Sequence, residues 1–206
     1  RQVKAIPVDD LDEMIDVLTA FRFMRPLPRE GGVALVGAGG GPSVLAGDGM
    51  EKEGLRLPGF SVEVQEELKK VLPVPGSIFS NPLDTPNLAT ADAVSAAMQV
   101  LGRVPEIDLL VYHLGFHPIS RWGLGLLCAE AFLKPVIGVM KETMRESGKP
   151  VVLALRPPQD LGGMKEFLSV QEAFVEAGFP VFHSMRKLAR SVARVIEWKR
   201  TSSSEG

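Results

Sequence analysis

Short, continuous apolar runs alternate with amphipathic stretches along most of this chain. Val33-Ala34-Leu35-Val36 has no polar member, residues 107–114 are apolar but for Asp108 and His113, and residues 151–155 read Val-Val-Leu-Ala-Leu. Such runs are too short for helices and predict strands buried on both faces, with brief strands added at 77–79 and 181–182. The stretches between them repeat at helical spacing. Helices are predicted over 42–53, closed by Gly54; from a cap at Ser61 to about 71; and over 91–101, with Val94, Met98 and Leu101 on one face. Others cover 164–177, ended by Gly178, and 185–200, burying Leu188, Val192, Val195 and Ile196. A long helical stretch precedes the strand at 151–155, broken or kinked at Pro135 and punctuated by Gly148 and Pro150.

Residues 1–30 read as a linker segment: an extended run at 3–8, then a helix capped by Asp9 or Asp10 and ended by Pro26 and Pro28. Leu11, Met14, Ile15 and Leu18 form a face on that helix. Strand following helix following strand predicts an α/β fold, a flavodoxin-like parallel sheet with helices on both faces, over 31–200. Residues 201–206 are small and polar and are expected to be a disordered tail.

The 206 residues fit one larger α/β domain, and 45% hydrophobic content is enough for a sizeable core. With 23 basic and 25 acidic residues the formal net charge is -2, so charge gives no reason to expect nucleic acid as a partner. One cysteine, Cys128, excludes an internal disulfide and a multi-cysteine metal site, and no metal is expected. No apolar run reaches the roughly 18 residues of a membrane span, and no signal-peptide pattern opens the chain. The expected location is cytoplasmic. Without an initiator Met, the chain reads as a piece of something longer.

The most informative segment is Val33-Ala34-Leu35-Val36-Gly37-Ala38-Gly39-Gly40-Gly41-Pro42-Ser43. A buried strand runs into four glycines within five residues, and a helix follows, with Pro42 suited to its first position. Glycines leave backbone amides unobstructed, and a helix N-terminus adds a partial positive charge. Gly39, Gly40, Gly41 and Ser43 are therefore the candidate binding residues for a phosphate or carboxylate. The other reading is that the glycines only permit a tight turn. The Lys-Ser/Thr of a Walker loop is absent, and a G-x-G-x-x-G counted from Gly37 would need glycine where Pro42 stands.

The run GAGGGPSVLAGDGMEKEGLRLPGFS resembles the second CoA-ligase domain of the NDP-forming acyl-CoA synthetases, the ADP-forming acetyl-CoA synthetases and their succinyl-CoA synthetase-like relatives. Gly40-Gly41-Pro42, Asp48 and Gly54-Leu55 match that family's turn and helix, Asn81-Pro82-Leu83-Asp84 its Asn-Pro-x-Asp motif, and Pro26-Leu27-Pro28 its Pro-Leu-Pro. The helix over 11–21 resembles the linker to the family's CoA-binding domain, so the resemblance covers about 5–198. It implies a succinyl-CoA synthetase-type domain in an enzyme that joins a carboxylic acid to CoA with ATP, through an acyl phosphate and a phosphohistidine. It also implies a CoA-binding domain and an ATP-grasp domain or subunit as partners and an oligomer as a possible state. CoA and ATP/ADP would serve the full enzyme, with no cofactor held by this chain alone.

The chain departs from the family at the histidine, whose matching position lies near Phe132. His117 is then the candidate catalytic residue, in the loop after the strand at 107–114. His113 lies at that strand's end, and His183 is read as a cap or surface residue. Asn81 and Asp84 either support the site or shape a pre-proline turn. Arg121 and Trp122 follow His117, and Cys128 reads as core. The basic residues of the last helix are read as a solvated face or a dock for an acidic partner. Two alternatives stay open: a binding or assembly subunit that lost the histidine, and a flavodoxin-like domain for a flavin or other phosphate-bearing ligand.

Overall fold

A computed structural model describes residues 5–37, 40–85, 88, 90–115, 130–158 and 161–203. Strands β1 (Val33–Gly37), β2 (Ile78–Phe79), β3 (Leu83–Asp84), β4 (Leu109–Gly115), β5 (Val151–Arg156) and β6 (Val181–Phe182) form one sheet. Its order is β2-β3-β1-β4-β5-β6. Every neighbouring pair is parallel except β2 with β3, a small hairpin that corrects the expectation of a wholly parallel sheet. The reversal falls at 80–82, where Asn81-Pro82 turns the chain back before Leu83. With β2 set aside, the five parallel strands run 2-1-3-4-5, the flavodoxin-like order.

Helices α1 (Leu11–Phe23), α2 (Gly40–Lys52) and α7 (Met185–Ser203) cover one face of the sheet, and Leu35, Val111 and Val152 point into that layer. Helices α3 (Val62–Val71), α4 (Ala91–Gly102), α5 (Glu130–Ser147) and α6 (Met164–Glu176) cover the other, over Val36, Leu110 and Leu153. Two filled layers explain why the strands are apolar throughout. Ser61 and Thr90 cap α3 and α4 by accepting backbone N–H groups.

Three expectations about helices are corrected. Helix α2 starts at Gly40, two residues before Pro42, so the proline is its third residue and not its first. It costs no bond there, because first-turn N–H groups have no intrahelical partner. Helix α5 runs unbroken through Pro135, which lies only five residues past its start, where one internal bond is lost. Helix α7 extends to Ser203, into the stretch expected as a tail, and Thr201 secures it by donating to the carbonyls of Glu197 and Trp198.

The basic face of α7 stays at the surface, with Arg186, Lys187 and Arg200 exposed, and part of it is paired within the chain. Buried Glu13 of α1 accepts from Arg190 Nε at 2.8 Å and Arg194 Nε at 3.2 Å, and Arg190 also pairs with Asp9. Lys187 reaches Asp12 and Asp16, Lys199 donates to the carbonyls of Leu27 and Pro28, and Arg200 to that of Glu30. The face predicted on α1 exists but points outward, with Leu11, Met14, Ile15 and Leu18 between 40% and 64% exposed. Val17, Ala20 and, just past the helix, Met24 are buried in their place.

Candidate functional site at the β1–β4 switch point

Connections from β1 run to one side of the sheet and those from β4 to the other. Their C-terminal ends therefore form the crevice where open α/β sheets bind ligands. Gly37 ends β1 there, paired with Asp84 of β3 on one side and His113 of β4 on the other. The row continues through Ala154 of β5 to Phe182 of β6. Side chains in one row share a face, and here it is the face of α2 and α7.

Glycine at 37 suits this close packing. A Cβ there would lie 3.1 Å from His113 Cβ and 3.2 Å from its carbonyl oxygen, tighter than ordinary contact. Helix α2 starts three residues after Gly37, so its free first-turn amides face the same crevice. Gly40 and Gly41 supply two of them, Pro42 supplies none, and Ser43, the fourth helical residue, is where intrahelical bonding begins. Nothing lies within 4 Å of a Cβ built on Gly41.

Ser43 is buried, and its Oγ is enclosed with no hydrogen-bond partner among the described residues. Its hydroxyl is thus turned from solvent, and its backbone N–H stands at the fourth helical position, past the free first-turn amides. Asn81 is fully committed to the scaffold. Its Oδ1 accepts from Leu35 N at 3.1 Å, and its Nδ2 donates to the carbonyls of Val33 at 2.6 Å and Pro58 at 3.0 Å. The amide thus stands in for a missing strand beside the first half of β1. Asp84 closes β3 next to Gly37, at the rim of the crevice. Gly39, His117, Arg121, Trp122 and Cys128 lie outside the described residues, and Phe132 is the third residue of α5.

A cleft of about 430 Å³ opens between α2 and α7 beside this row, lined by His113, Arg156 and His183 among others. Burial, followed by the nearby Arg156 charge, holds His113 below its ordinary pKa of 6.5, so the ring is neutral at pH 7. Its Nδ1 is enclosed without a hydrogen-bond partner among the described residues. His183 does not cap α7. Ser184 does, accepting from Lys187 N at 3.2 Å. The His183 ring lies edge-on to Phe167, with Nε2 2.7 Å from Gln171 Oε1. Burial and then the Lys187 charge lower its pKa, with Asp16 opposing them. Arg156 escaped the sequence reading although its signal was present: a lone cation ending a buried strand marks the ligand-binding end of a parallel sheet.

The arrangement suits anion binding better than nucleophilic attack. A histidine nucleophile needs a neighbour accepting from one ring nitrogen to bare the other. No such acceptor reaches Nδ1 of His113 among the described residues.

No protein-family model matches the chain. It is 32% identical over 111 residues to the α subunit of an ADP-forming acetate–CoA ligase II of Pyrococcus furiosus, a match covering 54% of this chain and 24% of the subunit. The chain is similar to one domain of the NDP-forming acyl-CoA synthetases. Solved structures agree on the fold of this synthetase-like domain. A Pyrococcus horikoshii protein superposes with a TM-score of 0.79 at 24% identity, covering 98% of this chain and 43% of its own. A dinucleotide-forming acetyl-coenzyme A synthetase of Ca. Korarchaeum cryptofilum, in complex with phosphate and ADP, superposes at 0.74 and 17% identity over 98% of this chain and 40% of its own. The chain thus spans less than half the length of each. No described helix is long and apolar enough to cross a membrane.

Proposed function

We propose that this chain is the phosphate-binding domain of an NDP-forming acyl-CoA synthetase, an acid–thiol ligase that joins a carboxylate to CoA at the expense of ATP. The observation that carries this reading is the start of α2 at Gly40, its open glycine amides at the C-terminal end of β1 on the sheet's switch point. Partial positive charge and unpaired N–H groups there stabilise a phosphoryl oxygen without any side chain. Gly39, Gly40 and Gly41 form the cradle, and Ser43 begins the intrahelical bonding behind them. Asn81 holds β1 rigid beneath it.

In the complete enzyme the phosphoryl group passes through an acyl phosphate and a phosphohistidine. The cradle stabilises that group in transit, while CoA and ATP or ADP bind on a CoA-binding domain and an ATP-grasp domain or subunit. Alone, the chain binds phosphate and does not turn over. The synthetase that matches its fold is itself in complex with phosphate and ADP, which supports the choice of anion.

The test is acyl-CoA formation from acid, CoA and ATP. The isolated chain should give none, and addition of the CoA-binding and ATP-grasp parts should restore it. Turnover by the chain alone would contradict the proposal. A second reading, a binding subunit without phosphoryl relay, is favoured by the unsupported Nδ1 of His113. Label from [γ-³²P]ATP mapped to His113 or His117 in the assembled enzyme would exclude it.

A further inference from the structure

Helix α6 packs beside β6, the last strand of the sheet, and buries Phe167, Val170 and Phe174. Its outward face carries a second apolar row that nothing in the chain covers. Leu161, in the turn leading into the helix, is 90% exposed, Leu168 53% and Val175 38%. Seven residues make almost two helical turns, so this spacing stacks the three on one line. Lys165 and Glu172 flank that line, also seven apart and exposed, and neither side chain has an ion pair among the described residues.

The row therefore reads Leu-Lys-Leu-Glu-Val at intervals of four and three, the spacing of a seam between two helices. Its order is self-complementary. Two copies laid antiparallel about a two-fold axis at Leu168 bring Leu168 against Leu168. Leu161, seven residues before the axis, then lies opposite Val175, seven after it. Lys165 stands three residues before the axis and Glu172 four after, so the two meet within about 1.5 Å of axial rise. A parallel arrangement would instead set Lys165 on Lys165 and Glu172 on Glu172.

We propose that this face of α6 binds a second copy of the same chain in an antiparallel, two-fold dimer. Each residue that meets a partner residue is met by it in return, as a two-fold interface demands, and the Lys165–Glu172 pair forms twice. The exposed stripe on α1 has no such self-match, because Asp12 and Asp16 beside it are already held by Lys187. The inference does not rest on the synthetase reading, since α6 covers the opposite face of the sheet from α2 and its glycine amides. Residues 161–175 span only about 22 Å of helix. Such a strip buries less than the roughly 800 Å² per partner of a standard interface, so the dimer is weak and concentration-dependent. Its exposed charge pairs make it weaker still in high salt.

The experiment is sedimentation velocity of the 206-residue chain from micromolar to millimolar concentration, at low and high salt. The mass should rise from that of the 22.3 kDa monomer towards twice that value, and rise less in high salt. Leu168→Asp sets two carboxylates face to face at the axis and should weaken the dimer about tenfold or more, with the melting temperature of the dilute chain unchanged. Lys165→Glu alone and Glu172→Lys alone should each weaken it as well. The two together exchange the charges and should restore it, which a general effect on folding would not do. The inference is overturned by a chain that stays monomeric throughout, by a dimer that Leu168→Asp leaves intact, or by a double variant no better than either single one. A dimer lost in Ile15→Asp and kept in Leu168→Asp would place the contact on α1 and overturn it equally.

Discussion

At the residue scale, a few side chains near β1 do unequal work. Asn81 makes three hydrogen bonds to backbone groups of Val33, Leu35 and Pro58. Asn81→Ala would leave those groups unpaired, and at about 1 kcal/mol for each lost bond it should destabilise the fold by about 3 kcal/mol, read from urea unfolding. The Asn-Pro-x-Asp motif was legible in the sequence, but its role was not: a string cannot tell an amide that faces a ligand from one that completes a strand. Gly32 is similar, since a Cβ there would fall 2.0 Å from the Glu106 carbonyl oxygen. Gly32→Ala should cost about 3 kcal/mol by overpacking, measured the same way, and Gly41→Ala, with open space at its Cβ, far less.

His113 gives a prediction in pH. Its folded pKa is lowered, so on acidification the unfolded chain binds the proton first and folding loses stability. The contribution is complete above the ordinary value of 6.5 and shrinks as pH falls below it. His183 is lowered as well and adds in the same direction. The drop in melting temperature between about pH 7 and 5 should therefore be smaller in His113→Phe than in the native chain. An equal or larger drop would show that burial does not disfavour the charged ring.

At the element scale, helices with a single apolar face were readable. Val94, Met98 and Leu101 on α4 and Leu188, Val192, Val195 and Ile196 on α7 are all buried. Helix α1 shows why periodicity alone falls short. It carries an apolar stripe at helical spacing and a second face of Glu13, Val17 and Ala20, and the second is buried because Arg190 and Arg194 grip Glu13. The choice between faces rested on charges more than 170 residues away in sequence. Ile15→Asp, on the exposed stripe, should change stability by less than about 0.5 kcal/mol. Glu13→Ala, which removes Arg194's carboxylate and leaves Arg190 with Asp9 alone, should cost about 2 kcal/mol, and thermal unfolding of both variants checks the pair. The short strand β3 was missed for a plainer reason. Two residues hold no period, and only their pairing with Val36, Gly37 and the β2 hairpin makes them a strand.

At the scale of the whole molecule, the alternation of apolar runs with amphipathic helices carried the α/β class and the glycine turn. The strand order, the switch point and the convergence of His113, Arg156 and His183 came only from the assembled sheet. Those three residues are far apart in sequence, and β4, β5 and β6 bring them to one end. The central claim is that the glycine amides at the start of α2 bind phosphate. It is tested most directly by a thermal-shift titration of the native chain and of Gly41→Asp with inorganic phosphate, alongside FMN. At 100 times its dissociation constant a ligand stabilises by about 2.7 kcal/mol. The account predicts a saturating rise in melting temperature with phosphate in the native chain, no rise with FMN, and loss of the phosphate effect in a folded Gly41→Asp. A native chain unmoved by phosphate, or a Gly41→Asp variant stabilised as much as the native, would contradict it.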